Sequence, residues 1–134
     1  MARLIQITGP VLDLVYRVRA IPSSGQEGVV TGYLSSPGGG FNAMVAARAA
    51  GMDTALGGTL GTGPFADMTT KALAELAIPH IGGTRREYDQ GLCTVMLEPD
   101  GERTFVSAHG AEGHVTPEDL ARIEVEPVVW VMVS

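Results

Sequence analysis

The sequence predicts an α/β fold, and three observations carry that expectation. Segments with strand character alternate along the chain with segments of helical periodicity. The 18 glycines among 134 residues are many for an all-helical protein, so glycine-rich loops between strands and helices follow. The unbroken apolar run from Val128 to Val133 has the character of a strand buried on both faces of a parallel sheet.

Taken in order, Leu4 to Thr8 and Val11 to Val15 read as strand on either side of a Gly9-Pro10 break, with Asp13 near the end of this first strand. Gly28 to Leu34 alternates Val, Thr and Tyr with small residues, as a short exposed strand does. A helix is expected from about Asn42 to Gly51, the glycine suiting a left-handed C-terminal cap. Thr54 to Leu60 is a strand candidate. In the helix after it, Phe65, Met68, Ala72 and Leu76 fall on one face and read as core, and Ile78-Pro79 ends it. Leu92 to Leu97 and Arg103 to Ser107 flank Glu98-Pro99-Asp100-Gly101-Glu102, a turn sequence that predicts an antiparallel hairpin. The order strand, helix, strand, helix, hairpin, strand describes an α/β layer with a β excursion. The length suits one domain, and the text stops at Ser134 as a core strand finishes, so the chain is expected to be the front part of something larger.

Composition excludes several classes of function. A net charge of -6, with Arg85-Arg86 the one adjacent basic pair, argues against a nucleic-acid partner. The single cysteine, Cys93, cannot form an internal disulfide and reads as a small buried hydrophobe in a strand. His80, His109 and His114 match no zinc spacing, so no metal site is expected in the chain. With no signal-peptide pattern in the first twenty residues and no apolar run near the ~20 residues a membrane span needs, the expectation is a soluble cytoplasmic protein without a membrane partner.

Two features carry chemistry. Asp13 lies among Val11, Leu12, Leu14 and Val15, where an ionised group costs free energy unless it is paired or used; a turn or capping role beside Gly9-Pro10 is the alternative. Ser36-Pro37-Gly38-Gly39-Gly40-Phe41-Asn42 runs straight into the alanine-rich helix. Its glycines let backbone approach a small ligand, and Asn42 offers an amide at the helix start, as a helix cap, a ligand contact or both.

The strand with Asp13, the Gly38-Gly39-Gly40-x-Asn42 element nine residues before Gly51, the Leu60-Gly61 strand end, the segment from Glu98 to Phe105 and the later Gly110-Ala111 together resemble the N-terminal half of PfkB/ribokinase-like carbohydrate kinases. The resemblance covers nearly the whole chain. It implies a doubly wound α/β sheet with a small β lid built from about 27–36 and 84–108, and ATP- and Mg²⁺-dependent phosphorylation of a sugar or nucleoside hydroxyl. It also implies substrate contacts from Asp13, Gly38, Gly39 and Asn42. Ser107 would face either the substrate or solvent from the lid. The family's base and anion hole come from a Gly-Ala-Gly-Asp element that this sequence does not contain, so the 134-residue chain alone is expected to be inactive and its nucleotide-binding residues stay unassigned. Departures from the family pattern at Met44, Gly63 and Ala66, and a glycine element one residue shorter than ribokinase's, leave the particular sugar open.

Two other readings compete. Gly61-Thr62-Gly63-Pro64-Phe65-Ala66 matches a GxGxxA dinucleotide fingerprint, with Arg85 and Arg86 available for an NADP 2′-phosphate, as in a Rossmann-type oxidoreductase. The chain could instead be a non-catalytic binding or dimerisation module, the edges of its hairpin pairing two copies, and a homodimer through the lid is compatible with the kinase reading as well.

Overall fold

The Gly9-Pro10 break leads the chain out of one sheet and into a second, and this transfer organises the structure. The computed structural model describes residues 2–127 and 129–134. In chain order the elements are β1 (Arg3–Gln6), β2 (Val11–Val18), β3 (Val30–Gly38), α1 (Gly40–Ala49), β4 (Asp53–Leu56), α2 (Pro64–Glu75), β5 (Leu92–Leu97), β6 (Arg103–Ala108), a 3-10 turn at Ala111–Gly113, α3 (Pro117–Ala121) and β7 (Val129–Met132).

The first sheet is parallel, in the order β4-β1-β7, with Arg3 opposite both Asp53 and Val129. Bridges from Leu56 to His80 and from Leu60 to Thr84 extend its outer side. The chain therefore adds β4 on one side of β1 and later returns to add β7 on the other. Such a reversal opens a crevice at the carboxyl end of the central strand, where open α/β sheets bind ligands.

α1 and α2 cover this sheet through a core of Phe41, Met44, Leu56, Leu60, Leu73 and Ile78. α1 ends as expected: Gly51 has φ 83°, and the Met52 N–H reaches back to the Ala47 carbonyl at 2.9 Å. α2 turns a different face inward from the expected one. Ala66, Thr69 and Leu73 are buried, while Met68 is 41% exposed and Phe65 half-buried, with Ala72 and Leu76 at the edge of the core. Thr69 can be buried because its hydroxyl donates to the Phe65 carbonyl at 3.0 Å, so a polar residue sits on the packed stripe that an apolar count passes over.

The second sheet is mixed, in the order β3-β2-β5-β6. It takes β3, β5 and β6 from the two segments expected to form the small β-layer, and adds β2, which had been read as part of the first core strand. Asp13 consequently lies in the third position of β2, inside the second sheet. Sequence periodicity cannot separate these assignments, because an apolar run flanked by glycine and proline suits either sheet. The β5–β6 hairpin turns as expected, with Gly101 at φ 90° and the Asp100 carboxylate accepting the Glu102 N–H at 2.9 Å.

β7 is parallel as expected but is not buried on both faces. Among the described residues β1 is its one strand neighbour, and Trp130 and Val131 are 67% and 50% exposed. The first residue of the expected strand, Val128, lies outside the described residues.

Candidate functional site

Asp13 is flanked across the second sheet by Ser36 on β3 and Cys93 on β5, and Cys93 is in turn paired with Ser107 on β6. Directly opposed residues project from the same face of a sheet, so Ser36, Asp13, Cys93 and Ser107 form one polar row across four strands. The Ser107 hydroxyl donates to the Cys93 sulfur at 3.2 Å, which ties the outer end of the row together. Ser36, Asp13 and Cys93 are half-buried and Ser107 is exposed. Cys93 is thus a half-buried member of a polar row, where the sequence had suggested a small buried hydrophobe.

Gly38 shows why this row is built around Asp13. An added Cβ there would land on the Asp13 carboxyl group, so the glycine leaves the space that the carboxylate occupies. Partial burial raises the Asp13 pKa above its usual carboxylate value, because desolvation penalises the charged form. Asp13 has no ion-pair partner among the described residues. A partly desolvated carboxylate inside a polar row is suited to accept hydrogen bonds from hydroxyl groups.

Gly38 is the last residue of β3, not a loop residue, and Gly39 turns the chain at φ 59° into α1. Asn42 was expected at the helix start; the N-cap position belongs to Gly39, and Asn42 lies inside the first turn, exposed, with no hydrogen bond from its side chain among those described. Its backbone N–H donates to the Gly39 carbonyl at 3.1 Å. Because the cap is glycine, no side chain closes the α1 N-terminus, and its leading N–H groups remain available to a polar ligand. α1 starts against the carboxyl end of β1, since a Cβ at Gly40 would strike the Thr8 carbonyl oxygen. The structure therefore unites Asp13, Gly38 and Ser107 through one sheet, and sets Gly39 and Asn42 at the adjoining helix end.

Gln90 pins the junction between the sheets and carried no signal in the sequence. It is buried, donates from Nε2 to the carbonyls of Pro10 at 2.7 Å and Thr59 at 3.3 Å, and accepts the Gly61 N–H at 3.0 Å. One amide thus ties the Pro10 break to the segment from Thr59 to Gly61, two stretches that only the fold brings together.

The GxGxxA segment is occupied in another way. At the α2 N-terminus the Asp89 carboxylate accepts the N–H groups of Phe65 at 3.2 Å and Ala66 at 2.8 Å, filling the place where a pyrophosphate would need to sit. Arg85 is not free for a 2′-phosphate: it pairs with Asp119, whose carboxyl is held below the usual range first by the Thr116 backbone N–H and then by that guanidinium. The dinucleotide reading is left without the anion site it requires.

No helix among the described residues is long and apolar enough to cross a membrane. Comparison with known proteins agrees with the two-sheet geometry. The sequence profile of the pfkB family carbohydrate kinases matches residues 8–130. The uncharacterized sugar kinase YegV of Escherichia coli (strain K12) is 31% identical over 118 residues, covering 87% of this chain and 36% of that protein. Ribokinase from Giardia lamblia superposes with a TM-score of 0.77 at 27% identity, over 90% of this chain and 37% of that one. Ribokinase from Arabidopsis thaliana, solved with ribose and ATP, superposes with a TM-score of 0.70 at 18% identity, over 90% of this chain and 42% of that one. The chain spans little more than a third of the length of the curated relative it matches.

Proposed function

The chain belongs to the pfkB family of carbohydrate kinases, and from that membership we propose that it is the substrate-binding half and lid of a protein that phosphorylates a sugar or nucleoside hydroxyl with ATP. The observation that carries the proposal is the Asp13 carboxylate, partly desolvated, without an ion-pair partner among the described residues, and seated where Gly38 leaves room for it. In this reading Asp13 accepts hydrogen bonds from substrate hydroxyls and Ser107 adds a hydroxyl from the outer strand. Gly38 and Gly39 let backbone approach the ligand, and Asn42 supplies an amide beside the α1 N-terminus. The second sheet is the lid. Closed over the sugar, it keeps water from competing for the phosphoryl group and lowers the dielectric around the transferring charge.

ATP and Mg²⁺ are the co-substrate and counter-ion of the proposed reaction, and the described residues do not fit them. Among those residues no three His, Cys, Asp or Glu side chains converge to hold a metal, Asp89 fills the α2 N-terminus, and Arg85 is paired. The general base and the anion hole are assigned to a part of the protein beyond this chain, so the 134-residue polypeptide alone transfers no phosphate. The face of the lid opposite the Asp13 row carries Tyr33 and Val106, 77% and 60% exposed, which supports a homodimer contact there.

The test is ATP consumption by the full-length protein against a panel of sugars and nucleosides, with Asp13→Ala beside the wild type. Sugar-dependent turnover that is lost in Asp13→Ala is the expected result. A protein that consumes ATP with no sugar or nucleoside, or an Asp13→Ala variant with unchanged kcat/KM, overturns the reading.

A further inference from the structure

We propose that Glu112 is a positioning residue for the site, a latch at the hinge that holds the lid in register with the core. The chain passes between the two sheets at four places: Gly9-Pro10 before β2, Gly39 after β3, Gly91 before β5 and Gly110 after β6. Glu112 grips two of them with one carboxylate. Its Oε2 accepts the Gly91 N–H at 2.7 Å, and its Oε1 accepts the Gly110 N–H at 2.9 Å.

Both glycines are required by this arrangement. A Cβ at Gly91 would land on the Glu112 carboxylate, and one at Gly110 would strike the Asp89 carbonyl oxygen. The turn that bears Glu112 is itself anchored in the core, because the Ala111 N–H donates to the Asp89 carbonyl at 2.9 Å and the Thr59 hydroxyl donates to the Ala111 carbonyl. The carboxylate is therefore fixed on the core side and holds strands on the lid side.

Its grip reaches the substrate row directly. The Gly91 carbonyl accepts the Leu12 N–H at 2.8 Å, and Asp13 is the next residue. Gly91 lies two residues before Cys93, Asp13's partner on β5, and Gly110 three residues after Ser107 on β6. One charge thus sets where three members of the polar row stand. Two charge-assisted hydrogen bonds to backbone donors are among the strongest contacts a side chain can make.

The part of this inference that concerns sugar rests on the kinase reading above; the hinge itself does not. The test is Glu112→Gln in the full-length protein, whose amide NH₂ cannot accept, so that one of the two N–H groups loses its partner. Hydrogen exchange without sugar is expected to quicken about tenfold across 11–17, 91–96 and 104–110, the scale of one lost charge-assisted bond, while α2 stays within about twofold. In turnover, KM for the sugar is expected to rise about tenfold with KM for ATP within about twofold of wild type. Glu112→Asp retains the charge and is expected to fall between the two. Exchange that is unchanged, or that quickens equally in α2, overturns the latch. So does an unmoved sugar KM in a wild-type background that does turn over sugar. Absence of sugar-dependent turnover in the wild type sinks the kinase reading instead, and the exchange comparison then decides the latch alone.

Discussion

Replacing Gly38 by alanine tests the geometry around Asp13. The three atoms nearest to the added methyl all belong to the Asp13 carboxyl group, so the collision is with one short side chain and not with backbone. Asp13 must rotate out of its rotamer, which costs about 0.5–1.5 kcal/mol, or the two strands must shift, which costs about 1–3 kcal/mol. Gly38 is a strand residue without a positive φ, so alanine also gains about 0.4–1 kcal/mol by restricting the unfolded chain. The net expectation is a loss of about 1 kcal/mol, a fall in melting temperature of about 4 °C for a domain of this size. In an Asp13→Ala background the collision disappears and the entropic gain remains, so Gly38→Ala should change sign and stabilise by about 0.5 kcal/mol. Urea denaturation of the wild type, both single variants and the double variant measures the coupling. Equal costs of Gly38→Ala in the two backgrounds would refute the claim that the glycine is there to seat the carboxylate.

Two further predictions follow from titration. Asp13 has its pKa raised by desolvation, so the folded state binds this proton more tightly than the unfolded chain. The stability it contributes is full below the ordinary value of 3.8 and is lost as pH rises through the raised value. Asp13→Asn should therefore melt higher than wild type at pH 7, with the gap closing on acidification to pH 3.8, while sugar-dependent turnover disappears; a lower melting temperature at pH 7 contradicts the desolvation argument. His80 is shifted the opposite way for a base: burial lowers its pKa, opposed by hydrogen bonds to the Gly58 and Gly83 backbones, and its Nε2 lies 2.8 Å from the Gly58 carbonyl. The fold is thus expected to keep its full stability above pH 6.5 and to lose some as pH falls below it. This acid-side loss should shrink in His80→Gln, as urea midpoints at pH 7.5 and 5.5 would reveal.

The local elements were legible in the sequence because each is written in a short window. Gly51 after an alanine-rich helix, Pro99-Asp100-Gly101 between two strand-like runs, and Ile78-Pro79 after α2 each specify their structure within a few residues, and the structure follows them. Membership of a strand in one sheet or the other is not local. β2 was assigned to the core because its apolar run is as good a core strand as a lid strand, and the choice is made by pairing with β3 and β5, the latter some eighty residues away. The error at β7 has a related cause, since an unbroken apolar run reports what a strand is able to bury, not how many neighbours it has.

The site divides along the same line. Asp13 and the glycines were visible because they are chemically out of place: a carboxylate among aliphatics and three glycines before a helix. Cys93, Gln90 and Glu112 are ordinary residues in their own neighbourhoods, and their roles exist only across long-range contacts, Gln90 to Pro10 and Glu112 to Gly91. Glycine offers a way to find such partners. Gly38 and Gly91 do not serve turns of their own; each clears space for a carboxylate, from Asp13 and Glu112 respectively, while Gly63, which caps α2 at φ 134°, also makes room for Asp89. A glycine at a strand end, where turn chemistry does not demand it, therefore points to an acceptor approaching from elsewhere in the fold. In this protein those acceptors mark the polar row around Asp13, the α2 cap and the junction between the sheets.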